Sequence, residues 1–182
     1  AVFEHVDIRV GPAYGTTAPY TGPFAGMSQQ AKDLRTAFLL AYPRQEIIDK
    51  IVKPINAKSE LMNSLMVFNA EPSDKAITEK SGVSKFTTGT ASSREAAALA
   101  LVRKHSATDV KVNLLWGNPN NTRRADIMQL VTAAGKRAGF EVNAPGVQGW
   151  STKLADSEWV AQHFAWGKTA LDQKGNASLY CT

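Results

Sequence analysis

The chain has 182 residues, 43% apolar and 20% charged, with 13 Gly and 8 Pro, values near the globular average that exclude collagen-like, disulfide-scaffold and wholly disordered chains. That length makes one or at most two domains, and it suffices to bury roughly 70% of the unfolded surface. Lys and Arg outnumber Asp and Glu by 21 to 16, a net charge of +5, yet the cations are scattered, so the clustered stripe that neutralises nucleic-acid phosphates is missing.

Residues 4–10 alternate apolar and polar with period two and run into Gly11-Pro12, which predicts a strand ending in a loop. The loop over 11–29 carries three Pro, four Gly, Tyr14, Tyr20 and Phe24; at that length it is expected to be packed down by its aromatics. From 30 to 41, Ala31, Leu34, Ala37, Phe38 and Ala41 mark one face of a helix, and Pro43 opens a second. Ile47, Ile48, Ile51 and Val52 supply the buried face of that second helix, which Pro54 stops.

The stretch 56–89 has no sustained period and reads mostly as loop. Ser92-Ser93-Arg94-Glu95 has the spacing of a capping box, predicting a helix from there to His105. Val110, Val112, Leu114 and Trp116 then alternate along a strand that breaks at Gly117-Asn118-Pro119-Asn120-Asn121. Ile127, Leu130, Val131, Ala134 and Ala138 line the helix that follows, Gly139 closes it, and 140–144 form the next strand. This strand–helix–strand unit is long enough for parallel pairing. A short helix over 151–155 leads to an apolar strand over 159–166, and past Lys168 the pattern fades.

In an open α/β sheet, ligands bind beyond the carboxyl ends of the strands, where loop amides and helix N-termini converge. Trp116 and Trp166 end predicted strands and Trp150 lies in the loop after another, which predicts an aromatic-lined wall there. Asn118, Asn120 and Asn121 stand at the start of the long helix, where side-chain amides could hold a carboxylate or carbonyl; the alternatives are core tryptophans and plain helix caps. Arg123 and Arg124 read as a solvated helix start without a structural role, being unfavourable to the helix dipole.

Enzymatic motifs fail on inspection. Gly167-Lys168-Thr169 resembles the end of a phosphate-binding loop, but Gln162 stands where a glycine is needed. The G-x-S-x-G, H-E-x-x-H and G-x-G-x-x-G patterns do not occur, and His5, His105 and His163 are far apart, so each reads as a satisfied or solvent-facing histidine and not as a metal ligand. No cofactor, catalytic residue or metal site is expected. No apolar run approaches the roughly 18 residues that span a bilayer, and any targeting segment is expected to have been removed or to lie outside this sequence. The single Cys181 leaves the redox compartment open.

Two segments carry a family resemblance. Gly22-Pro23-Phe24-Ala25 with the helix pair over 31–50 resembles the helix pair of the dipeptide- and oligopeptide-binding receptors of ABC importers, extracellular solute-binding proteins of family 5. Val112-Asn113-Leu114-Leu115-Trp116-Gly117-Asn118-Pro119, then Gly139-Phe140-Glu141-Val142, Trp150 and Phe164-Ala165-Trp166 resemble a later series of that family in order and spacing. The resemblance implies a type II periplasmic-binding-protein-like α/β lobe, a mixed sheet flanked by helices.

Because members are around three times this length, it also implies one lobe of a two-lobe receptor whose N-terminal lobe lies elsewhere in the same chain. The implied partners are a peptide or other small solute and an ABC permease, with no nucleic acid. The implied location is extracytoplasmic, with lipid anchoring through a segment absent here. Where peptide-binding members often carry R-x-x-W-x-x-D, this chain has His163-x-x-Trp166-x-x-Thr169, which removes the acid expected to meet a ligand amine. Pro43 replaces the helix-pair aspartate, an exchange expected to touch only capping. The ligand contacts are accordingly assigned to Trp116, Asn118, Trp150, His163, Trp166 and Thr169. Two other classes stay open: a small α/β hydrolase or transferase with unrecognised catalytic residues, and an interaction domain using the same aromatic edge.

Overall fold

The computed structural model describes residues 2–12, 17, 19–63 and 73–167, the side chains of Val2 and Trp166 excepted. In chain order the elements are β1 (Val2–Ile8), α1 (Gln29–Ala41), α2 (Arg44–Ile47), α3 (Asp74–Ser81), α4 (Ala91–Lys104), β2 (Val110–Gly117), α5 (Thr122–Arg137), β3 (Phe140–Asn143), β4 (Gly146–Val147) and β5 (Ala161–Gly167). The strands form one mixed sheet ordered β1-β5-β2-β3, with β4 beside the end of β2. β1 runs antiparallel to β5, and β3, β4 and β5 run parallel to β2.

The expected strand–helix–strand unit forms with the register Val110↔Phe140 to Asn113↔Asn143. Its helix starts where the Asn121 side chain accepts from the Arg124 N–H at 3.2 Å, and ends before Gly139, whose φ of 86° suits a residue without Cβ. Ladder register gives the sheet two distinct faces. Trp116 pairs with His163 and His163 with Val6, so Leu114, Trp116, Ala161, His163, Glu4, Val6 and Ile8 share one face. That face meets the helices over a core in which Phe24, Phe38, Leu114, Ile127, Val131 and Phe140 are fully buried. Each such side chain contributes about 1.5–3 kcal/mol of burial.

The loop over 11–29 is packed by an aromatic as expected: Phe24 is buried against Phe38 at 5.5 Å, while Tyr20 lies under the Arg9 guanidinium. Tyr14 falls outside the described residues.

Several local expectations are corrected. The 56–89 stretch contains α3 and a 3₁₀ turn over Val83–Phe86. α3 buries none of its residues, so it leaves no apolar period to read. The capping box sits at Thr90 and Ser93: the Thr90 hydroxyl accepts from the Ser93 N–H at 3.0 Å, and the Ser93 hydroxyl from the Thr90 N–H at 3.1 Å. Serine reaches back as glutamate would, and Glu95 is taken by Arg137 instead at 2.6 and 2.7 Å. The second helix is a short α2 prolonged by a π turn over Ile48–Val52, and of its expected apolar face Ile47 alone is buried. Pro43 precedes it without a side-chain cap. The helix expected over 151–155 is a 3₁₀ turn over Trp150–Lys153, and β5 begins at Ala161, after the buried Trp159 and Val160.

Candidate functional site

β2 ends beside His163, the third residue of β5, and leaves the sheet through Gly117 into an exposed Asn118-Pro119-Asn120 turn, while β5 runs on to Gly167. Asn118 adopts φ 62°, a left-handed conformation that asparagine tolerates. Its carbonyl accepts from the Asn121 N–H at 2.8 Å, which closes the turn and leaves the Asn118 amide at the surface. Asn121 is the helix cap, as its position allowed.

The tryptophans do not form one wall. Trp116 is 5% exposed, belongs to the helix-side core and donates its indole N–H to the Ala144 carbonyl at 2.8 Å. Trp150 lies against the opposite face, half-buried, with its ring on Gly117 so closely that a Cβ there would collide with it. Its ring meets Phe164 at 5.6 Å, and His5 meets the same phenyl at 4.5 Å and Phe3 at 5.5 Å. Strand parity separates Trp116 from Trp150, and loop spacing could not reveal it. Trp166 pairs with Phe3 at the end of β5, its side chain outside the description, and Thr169 lies outside the described residues.

His163 is 3% exposed, so it stands behind the rim and not on it. Its Nδ1 lies 2.8 Å from the Tyr42 hydroxyl and its Nε2 3.4 Å from Glu4 Oε2. Ionised Glu4 can only accept, so His163 donates to it from Nε2, and the Tyr42 hydroxyl meets Nδ1 on the other side of the ring. Burial pushes the Tyr42 phenol above its ordinary range.

Glu4 also accepts from Arg123 at 2.6 and 2.7 Å and from Arg124 Nε at 3.1 Å. Burial disfavours its charge, but the hydrogen bonds from His163 and Arg123 prevail and hold the carboxyl well below the usual range. The two arginines are therefore not a solvated helix start: they are tied to the first strand across the sheet end. Sequence reasoning missed this hub. The signal was Glu4 itself, a charged residue on the same period-two face as Val6 and Ile8.

The hydroxyl that meets a histidine here is the Tyr42 phenol, made less acidic by burial and closed off from solvent, an unsuitable nucleophile. His105 lies 2.8 Å from Asp33, joining the end of α4 to α1. Among the described residues no group of three His, Cys, Asp or Glu side chains could hold a metal ion, and no helix is long and apolar enough to cross a membrane. Two open grooves, about 380 and 270 Å³, flank β1 away from the Asn118 turn.

Neither a family model nor a curated protein matches the sequence. Solved structures do match the fold. OppA of Burkholderia pseudomallei aligns with a TM-score of 0.62 at 13% identity, over 97% of this chain and 33% of that one. The Escherichia coli murein tripeptide binding protein MppA aligns at 0.60 with 15% identity, over 94% and 32%. Haemophilus influenzae OppA in complex with RPPGFSPFR aligns at 0.59 with 14% identity, over 96% and 33%. The chain thus has the type II periplasmic-binding-protein-like fold, and it spans about a third of the length of these structures.

Proposed function

We propose that this chain is one lobe of an extracytoplasmic solute receptor that hands oligopeptides to an ABC permease, the second lobe lying elsewhere in the same polypeptide. Such a lobe forms half of a ligand cleft and makes or breaks no bonds. The observation that supports this reading is the alignment of nearly the whole chain with about a third of each of two solved structures, a murein tripeptide binding protein and an OppA in complex with RPPGFSPFR. The rim supports it, with an exposed Asn118 amide beside a half-buried Trp150. In this reading Asn118, Trp150, Trp166 and Thr169 meet the solute, while Trp116 and His163 shape the rim from behind. A lipid anchor outside the 182 residues holds the receptor at the membrane.

Calorimetric titration of short peptides against the 182-residue chain and the natural polypeptide tests the reading. A ligand enclosed from both sides loses much of its buried surface when one lobe is missing, so binding to the lobe alone is weaker. In the natural polypeptide, Trp166→Ala lowers affinity by about thirtyfold, the loss typical of an aromatic anchor, with little change in melting temperature. Equal affinity of the lobe and the natural polypeptide, or binding to neither, refutes the proposal.

A further inference from the structure

Arg35 stands on α1 and turns back onto the loop that precedes this helix. Its Nη1 donates to the carbonyls of Phe24 and Gly26 at 2.6 and 2.7 Å. Those bonds hold the turn over Phe24, which is fully buried against Phe38, and the Gly26 N–H fastens it to the Val10 carbonyl at 2.8 Å. Nη2, the other arm of the same guanidinium, finds as its acceptor among the described residues only the Met27 sulfur, at 3.9 Å. A thioether accepts weakly, so a charged donor is left poorly used beside a polarizable atom.

Exposure sets Met27 apart from the other described methionines. It is 68% exposed, whereas Met62 is half-buried and Met128 is 4% exposed in the core. Oxidation turns a flexible apolar side chain into a polar, chiral sulfoxide, which disrupts a core such as the one around Met128. At Met27 the new oxygen stays in solvent. The S–O bond also spans part of the gap to Nη2, which puts the oxygen within hydrogen-bond reach of the guanidinium.

We propose that Met27 is an oxidation site whose product tightens the loop: a peroxide converts the thioether to the sulfoxide, and the sulfoxide oxygen accepts from Arg35 Nη2. With hydrogen peroxide, a sulfur lone pair attacks one oxygen, the O–O bond breaks, and the other oxygen leaves as water. Sulfur gives up the two electrons that the peroxide gains. Methionine sulfoxide reductases reverse the step, so the site takes up oxidant without loss of fold. The inference is independent of the receptor reading, since every atom it uses lies within residues 10–38.

Peroxide treatment of the natural polypeptide tests it. Peptide mass mapping is expected to show Met27 oxidising at least about tenfold faster than Met128. Residue-resolved hydrogen exchange is expected to show the Gly26 amide about fivefold slower after oxidation than before, the size of one added hydrogen bond. Met27→Leu under the same treatment carries every other oxidation, and its Gly26 amide is expected to show no slowing. Arg35→Lys loses the two-armed donor, so it too is expected to show no slowing. Met27 oxidising no faster than Met128 overturns the site. Gly26 exchange that is unchanged or faster after oxidation, or that slows equally in either variant, overturns the tightened loop.

Discussion

Replacing Glu4 by Gln removes the one negative charge between Arg123, Arg124 and His163 while keeping the shape of the side chain. Breaking a buried ion pair costs about 3–5 kcal/mol, because the surviving charge stays desolvated. The Arg123 side chain is 31% exposed and Arg124 13%, so water relieves part of that, and the expected loss near neutral pH is about 2–3 kcal/mol. Glu4 ionises in the folded chain well below its ordinary range, whereas unfolded it titrates near pH 4.3. Its contribution is therefore fully present above about pH 5 and is lost as pH falls below the unfolded value, where the unfolded chain takes up the proton first, by up to about 1.4 kcal/mol per pH unit. Urea unfolding of both proteins at about pH 7 and about pH 3 reads the effect as a difference, so titrations common to both cancel. The gap is expected to be large at neutral pH and to narrow in acid. A gap that is the same at both pH values, or below about 0.5 kcal/mol at neutral pH, the usual range for a surface change, refutes the buried hub.

The remaining expectations concern the same rim. Arg123→Gln combined with Arg124→Gln strands the Glu4 carboxylate and costs about 1–3 kcal/mol, and a double variant as stable as the parent restores the solvated helix start. Trp116→Phe loses the bond to the Ala144 carbonyl, costing about 1 kcal/mol, and Trp116→Ala costs about 3–5 kcal/mol; both leave peptide affinity per folded molecule nearly unchanged, so a binding defect without destabilisation would place Trp116 back on the rim. Gly117→Ala drives a Cβ into the Trp150 ring and costs about 1–3 kcal/mol. A fluorescence difference against Trp150→Phe follows the displaced indole, and an unmoved signal with unchanged stability contradicts the close packing.

The fold was legible wherever a period was sustained. Val112, Leu114 and Trp116 against Ile127, Val131 and Ala134 announce the crossover, and Gly139 with φ 86° marks its end. Legibility failed at α3, which buries nothing, and at Thr90, where a hydroxyl does what a glutamate was expected to do. Of the candidate site residues, the place along the chain was legible and the depth was not. Spacing brings Trp116, Asn118 and Trp150 to one sheet end, but which face each takes depends on register, fixed by partners tens of residues away. His163 was placed inside its strand, yet how deep it lies is decided with Tyr42, Glu4 and two arginines from three other parts of the chain.

That dependence bears on how the rim works. Tyr42 follows α1, Glu4 belongs to β1, His163 to β5 and the arginines to α5, so one chain of polar contacts pins four elements beneath the Asn118 turn. Apolar packing tolerates repacking at similar volume, whereas a bidentate arginine–carboxylate contact fixes distance and plane. The turn that offers Asn118 is thus held by directional bonds at the start of α5 and by the Trp150 ring on Gly117 from the other side. A solute meeting this rim would find it already set, with little ordering cost left to offset its binding energy. In the proposed receptor Glu4 is a positioning residue: its replacement is expected to lower affinity by shifting the α5 start, and because folded Glu4 stays ionised well below its ordinary range, that loss should stay constant over the acid range in which the stability gap narrows.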